Sequence, residues 1–172
     1  GPQQPGIELI MADPTFLEEN ADDILGLILT HSHEDHYGAV LDLWPAFDRP
    51  VFATAFTAAM LAAKRAADEI VDNVAVTRMT VGHAFQLGPF TIEPINVAHS
   101  IPESCALLIS TPVGRALHTG DWKLDPNPIG SPPTDVARLA RVGEEAGPPL
   151  SLICDSTNAM KDGTSPSEDE VA

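Results

Sequence analysis

His31-Ser-His33-Glu-Asp35-His36 stands directly after Thr30 and the apolar run Ile24–Leu29. Four side chains able to ligate a metal ion thus fall within six residues, at the end of a run that reads as a strand. Imidazole nitrogen and carboxylate oxygen suit zinc, and a cluster this dense can serve two ions. His31 and His33 are two apart, so in extended backbone they point the same way. Asp35 and His36 come after the chain has turned and aim at a different point. The spacing predicts one ion held by His31 and His33, and a second held by Asp35 and His36. A lone His-x-His would read more simply as a solvated loop. The longer string meets ligand spacing four times, which favours the metal.

Two more donors stand at strand ends. His99 follows the strand-like Thr91–Val97, and Asp121 follows Arg115–Thr119 in His118-Thr-Gly-Asp-Trp-Lys123. A third histidine would complete three nitrogens on the first ion. A carboxylate has two oxygens and can bridge two ions about 3.5–4 Å apart. Singly, His99 is a loop or core residue and Asp121 a turn residue; beside the first cluster both read as ligands. His118, inside a strand, is expected to donate to a backbone carbonyl or to a ligand. His83 in its Gly turn reads as surface, Asp13 as a turn residue and Glu34 as solvated. Lys123 reads either as a phosphate contact or as half of an ion pair with Asp125.

The elements that must position these donors follow from pattern. Ile7–Met11, Ile24–Thr30, Pro50–Ala53 and Val74–Met79 read as strands, with Phe85–Val97 broken by a turn at Gly88-Pro89. Cys105–Ser110 and Arg115–Thr119 flank Pro112-Val-Gly114, a hairpin signal, and Leu150–Asp155 is a last apolar strand. Helices are expected over Tyr37–Leu43, ending near Pro45, over Asp135–Glu145, and after Thr54, where Phe56, Met60, Ala63, Ala67 and Ile70 keep helical spacing. Pro126–Pro133 is a loop. Thr164 or Ser165 with Glu168 resembles the capping signal of another helix. Strands and helices alternating around antiparallel hairpins predict a layered α/β sandwich rather than a doubly wound sheet.

The whole chain of 172 residues is 44% apolar and 20% charged, as a globular domain is. No run approaches the ~18–20 apolar residues of a membrane span and no secretory signal opens the chain, so the expectation is a cytoplasmic protein with no membrane partner. Cys105 and Cys154 are expected as two buried thiols. A net charge of −16 argues, by itself, against a nucleic-acid partner. Two divalent ions would reverse the field locally, where it matters for a substrate. Gly1–Gly6 reads as a cut or tag end and Pro166–Ala172 as the start of something further, so the chain is expected to be a piece of a longer one.

Thr30-His-Ser-His-Glu-Asp-His-Tyr-Gly38 resembles the second signature of the metallo-β-lactamase fold, shared by lactamases, glyoxalase II, lactonases and tRNA-processing nucleases. Three further strings narrow the resemblance: His99-Ser-Ile-Pro-Glu-Ser104, His118–Lys123, and Asp155-Ser-Thr-Asn-Ala159 followed by Gly163–Glu168. Together they resemble the ribonuclease J branch of the β-CASP nucleases, over nearly the whole chain. The resemblance implies an αββα sandwich, incomplete here: the family's first strands with their Asp-x-Gly signature, the β-CASP insert and the C-terminal part lie elsewhere. It implies residues 7–162 as a partial metallo-β-lactamase domain and 163–172 as the junction to a β-CASP domain.

The same resemblance implies two Zn²⁺. His31, His33 and His99 would hold one, Asp35 and His36 the other, with Asp121 bridging and Asp155 close behind. The first ligand set is complete in this chain; the second lacks a later histidine. Asp35 and Asp121 would act through metal-activated water on an RNA phosphodiester, in a cytoplasmic 5′–3′ exonuclease and endonuclease of RNA processing and decay. The parent would be a homodimer or homotetramer, and this chain alone inactive. The other readings are a lactonase or thioesterase on the same fold, or a metal-binding module without catalysis.

Overall fold

The computed structural model describes residues 13–67, 74–163 and 165–171; the strand expected at Ile7–Met11, and Ile70 and Thr164, lie outside them. In chain order the elements are α1 (Thr15–Glu19), β1 (Leu27–Ile28), α2 (Glu34–Tyr37), α3 (Val40–Phe47), β2 (Val51–Ala53), α4 (Ala55–Ala67) and β3 (Val76–Arg78). There follow β4 (Phe85–Leu87), β5 (Phe90–Asn96), β6 (Cys105–Ser110), β7 (Arg115–His118), α5 (Val136–Glu144), β8 (Leu150–Ile153) and α6 (Glu168–Val171). Among the described residues the strands form two sheets. One is parallel, in the order β1-β2-β3. The other runs β4-β5-β6-β7-β8, antiparallel except for the parallel pair β7–β8.

Side-chain alternation along the strands builds four layers. Leu27, Leu29, Val51 and Ala53 pack with Val40, Leu41 and Leu61 of α3 and α4. The intervening Ile28 and Phe52 face the other way and meet Ile92, Cys105 and Leu107 of the second sheet. On β6 the alternation repeats, for Ala106 and Leu108 turn outward to Leu117 and to Val142 of α5. The order helix, sheet, sheet, helix is the αββα sandwich expected. β1 reaches the second sheet at its end, where Cys105 N–H donates to the Thr30 carbonyl at 3.1 Å.

Four details differ from the sequence reading. The helix expected to end near Pro45 runs two residues past it, with Pro45 inside α3. The ring removes one backbone donor, but buried Phe47 holds the last turn down and the Trp44 indole donates to the Arg49 carbonyl at 2.8 Å. Thr54 precedes α4, yet its hydroxyl donates to that of Thr57; the free Phe56 N–H donates instead to the Glu103 carboxylate at 2.7 Å. At α6 the capping pair is Ser167 with Glu170, each backbone donor meeting the other residue's oxygen, rather than Ser165 with Glu168. Both cysteines are free thiols, but only Cys105 is buried. Cys154 is exposed because it follows β8, an edge strand whose Ser151, Leu152 and Ile153 are themselves exposed.

Candidate metal centre

Each donor is delivered by the end of an element. His31 and His33 extend β1 beyond Thr30; at His33 the chain turns into α2, which carries Asp35 and His36. The exit from α2 needs Gly38, where any Cβ would strike the Glu34 carbonyl. His99 follows the isolated bridge residue Ala98, beyond β5. Asp121 follows β7 through Gly120, which has φ +57°. A Cβ there would lie 3.1 Å from the Cys105 carbonyl and 3.2 Å from Thr30 Cβ, so glycine lets the Asp121 turn pack onto the root of the histidine string.

These residues converge. His33 Nδ1 and His99 Nε2 lie 2.9 Å apart. Asp121 Oδ2 lies 3.7 Å from His99 Nε2 and 4.0 Å from His31 Nε2. The other oxygen, Oδ1, lies 3.3 Å from His36 Nε2, which is 3.6 Å from Asp35 Oδ2. Among the described residues the donors form two groups, His31-His33-His99-Asp121 and Asp35-His36-Asp121, each with its ligand atoms within 4.8 Å of one another. Asp121 belongs to both and turns one oxygen to each.

The donor chemistry fits a cation. His31 is fully buried, yet its Nε2 has no hydrogen-bond partner among the described residues. A buried imidazole nitrogen left so is costly; an ion among these donors satisfies it. The Thr30 hydroxyl lies 3.0 Å from His31 Nδ1. For Nε2 to offer its lone pair to an ion, this hydroxyl must accept from Nδ1–H, and the distance fits that role. Burial, and then the rings of His36, His99 and His33, push His31 down to about 3, so it is neutral at ordinary pH. Burial, then His33, lowers His99 as well. Neutral imidazole is the ligating form.

The remaining candidates are placed more simply. Asp155 joins neither ligand group: its Oδ1 accepts from Thr157 N–H at 2.9 Å and from the Thr157 hydroxyl at 2.6 Å, and these bonds lower its pKa. It lines a groove of about 920 Å³ that opens beside His99 and Asp121. Lys123 lines the same groove but pairs with Glu168 at 2.5 Å and Asp125 at 3.5 Å. His118 Nδ1 accepts from Gly120 N–H at 3.0 Å rather than donating, and so braces the turn that presents Asp121. Glu34 is exposed and pairs with Lys64; Asp13 accepts from Thr15 at the start of α1; His83 is exposed. Thr30, Glu103 and Thr134 escaped the sequence reading, since hydroxyls and a single carboxylate in loops carry no spacing signal.

Residues 4–142 match the model of the beta-lactamase superfamily domain. The chain is 47% identical over 172 residues, its entire length, to ribonuclease J of Sinorhizobium meliloti. It is 41% identical over 174 residues to ribonuclease J of Mycobacterium tuberculosis, with 99% of the chain covered. It spans 30% of the length of each of these relatives. Among solved structures, a protein of unknown function from Enterococcus faecalis is similar at TM-score 0.56 and 17% identity, over 83% of this chain and 34% of that one.

Proposed function

Because the chain belongs to the beta-lactamase superfamily, and within it is homologous along its whole length to ribonuclease J, we propose that it carries the metal centre of an RNA phosphodiester hydrolase. The observation that supports this most is Asp121, whose two oxygens face two different groups of donors. His31, His33 and His99 would hold one zinc ion, Asp35 and His36 a second, with Asp121 between them. When bound, such a pair lowers the pKa of water toward neutrality and offsets charge on a phosphoryl group. The chain's own residues do the rest. Thr30 fixes the His31 tautomer, His118 braces the Asp121 turn, and the groove past Asp155 receives the sugar–phosphate chain beside the donors. Asp155 stays ionised there, held by Thr157.

The whole protein, on this reading, is a ribonuclease J-like exonuclease and endonuclease acting 5′–3′ in cytoplasmic RNA processing and decay, as a homodimer or homotetramer. Residues 7–162 form its partial metallo-β-lactamase domain, and 163–172 lead to a β-CASP domain. The first site has four donors and the second three, two of them, Asp35 and His36, exposed, so one zinc is held tightly by this chain and a second weakly. Elemental analysis after dialysis is expected to give close to one zinc per chain. Incubation of the full protein with 5′-monophosphorylated single-stranded RNA is expected to give cleavage that a chelator abolishes and zinc restores. A folded chain without zinc, or cleavage indifferent to chelator, would overturn the reading.

A further inference from the structure

His99 and Asp121 come from separate stretches of chain, and their spacing is set by the backbone just beside them. Ala98 precedes His99, Lys123 lies two residues after Asp121, and the two form an isolated antiparallel bridge. One half of that bridge is direct: Lys123 N–H donates to the Ala98 carbonyl at 3.0 Å. The other half contains a side chain. Ala98 N–H donates to Thr134 Oγ1 at 2.8 Å, and the same hydroxyl donates to the Lys123 carbonyl at 2.7 Å. An oxygen atom is thus inserted into the ladder between the strand that presents His99 and the loop that presents Asp121. In an ordinary bridge the two backbone groups would meet directly.

The insertion is held firmly. Ala98 is fully buried and Thr134 is 7% exposed, so the bond between them is shielded from solvent, while the bond to Lys123 is half-buried. On one side Asp135 N–H donates to the Asn96 carbonyl at 3.0 Å, and the Asn96 amide donates to the Pro133 carbonyl at 2.7 Å. On the other, Asp135 caps α5 by accepting from Arg138 N–H at 2.9 Å, and α5 is docked on the sheet by fully buried Val142. Thr134 is therefore anchored by α5 and by β5, the strand that leads to His99, and its hydroxyl reaches from there to the loop that presents Asp121.

We propose that Thr134 is a positioning residue of the metal centre, whose hydroxyl fixes the separation of the two ligand loops and with it the approach of Asp121 to His99. The proposal rests on the metal reading above. A hydroxyl both accepts and donates here, so serine can replace threonine. Valine fills the same space but strands the buried Ala98 N–H and takes the donor away from the half-buried Lys123 carbonyl. Residues that orient metal ligands change affinity ten- to a hundredfold when altered.

The test is cobalt(II) titration of the metal-free full protein, followed by the absorption of the bound ion and its dissociation constant. Thr134→Ser is expected to match the unaltered protein in both. Thr134→Val is expected to bind about tenfold or more weakly, with a changed spectrum. Val142→Ala, which loosens the same helix without touching the bridge, is the control for stability and is expected to keep the original spectrum and constant. An unchanged constant and spectrum in Thr134→Val, or an equal change in Val142→Ala, would overturn the proposal. Failure of the unaltered protein to bind overturns the metal reading itself. Should Thr134→Val not fold, amide exchange in the unaltered protein decides. Ala98 N–H is expected to be protected, and exchange as fast as that of exposed Ser100 would sink the bridge.

Discussion

At the scale of single residues, one carboxylate faces both groups of candidate donors. Asp121 turns Oδ1 toward His36 and Oδ2 toward His31 and His99. Asp121→Asn keeps the shape but removes the charge and replaces one oxygen by a donor. It is expected to abolish turnover in the full protein, a loss of about a hundredfold or more given that even the partners of ligands cost ten- to a hundredfold. Its circular dichroism should match that of the unaltered protein; normal turnover would return Asp121 to the role of a turn residue. The six clustered side chains could be picked out in the sequence because four fall within six residues and two stand at strand ends. Thr134 could not be, for its bonds reach Ala98 and Lys123 through space, and nothing in a Pro-Pro-Thr-Asp loop marks a hydroxyl as part of a ladder.

At the scale of elements, the strands were the most readable part, because their apolar runs stand out; which core each residue enters, Ile28 and Phe52 one and Leu29 and Val51 another, was not, since a continuous apolar run shows no alternation. Helix ends were less readable, because tertiary partners chose them: buried Phe47 carried α3 past Pro45, and Glu103 capped α4 from a distant loop. The start of α6 is joined to the loop after Lys123 in the same manner. Asp125 accepts from the Ser167 hydroxyl at 2.6 Å and from Glu168 N–H at 2.9 Å, while Glu168 accepts from Ile129 N–H at 2.6 Å. The Ser167 hydroxyl first, then Glu168 N–H, hold Asp125 down to about 2. Its pKa is depressed on folding, so its contribution is complete above the ordinary carboxylate range and is lost as pH falls through about 2. The protection of the Glu168 amide, its exchange rate relative to the intrinsic rate at the same pH, is expected to hold at pH 5 and to fall between about pH 4 and 2. Equal protection at pH 2 would show that the ionised carboxylate is not what holds the segment.

At the scale of the whole molecule, the sandwich is closed on some sides and open on others. β8 is the edge of its sheet, and Leu152 and Ile153 are 64% and 53% exposed. An apolar edge strand is a template for pairing. The 172-residue chain by itself is therefore expected to associate in solution and to show no nuclease activity; light scattering at micromolar concentration should report species larger than a monomer. A monodisperse monomer that cleaves RNA would contradict both halves. The sequence marked Leu150–Asp155 only as a last apolar strand, because an apolar run carries no sign of what covers it. That edge placement also gives the molecule an unequal pair of thiols. Burial pushes Cys105 up to about 12, whereas Cys154 stands exposed on the wall of the groove that opens onto His99 and Asp121. A thiol reagent should titrate one group per native chain and two in denaturant. A fluorophore attached through that one reactive sulfur would sit beside His99 and Asp121 without any engineered substitution, a built-in optical handle for following the arrival of a metal ion or RNA in real time.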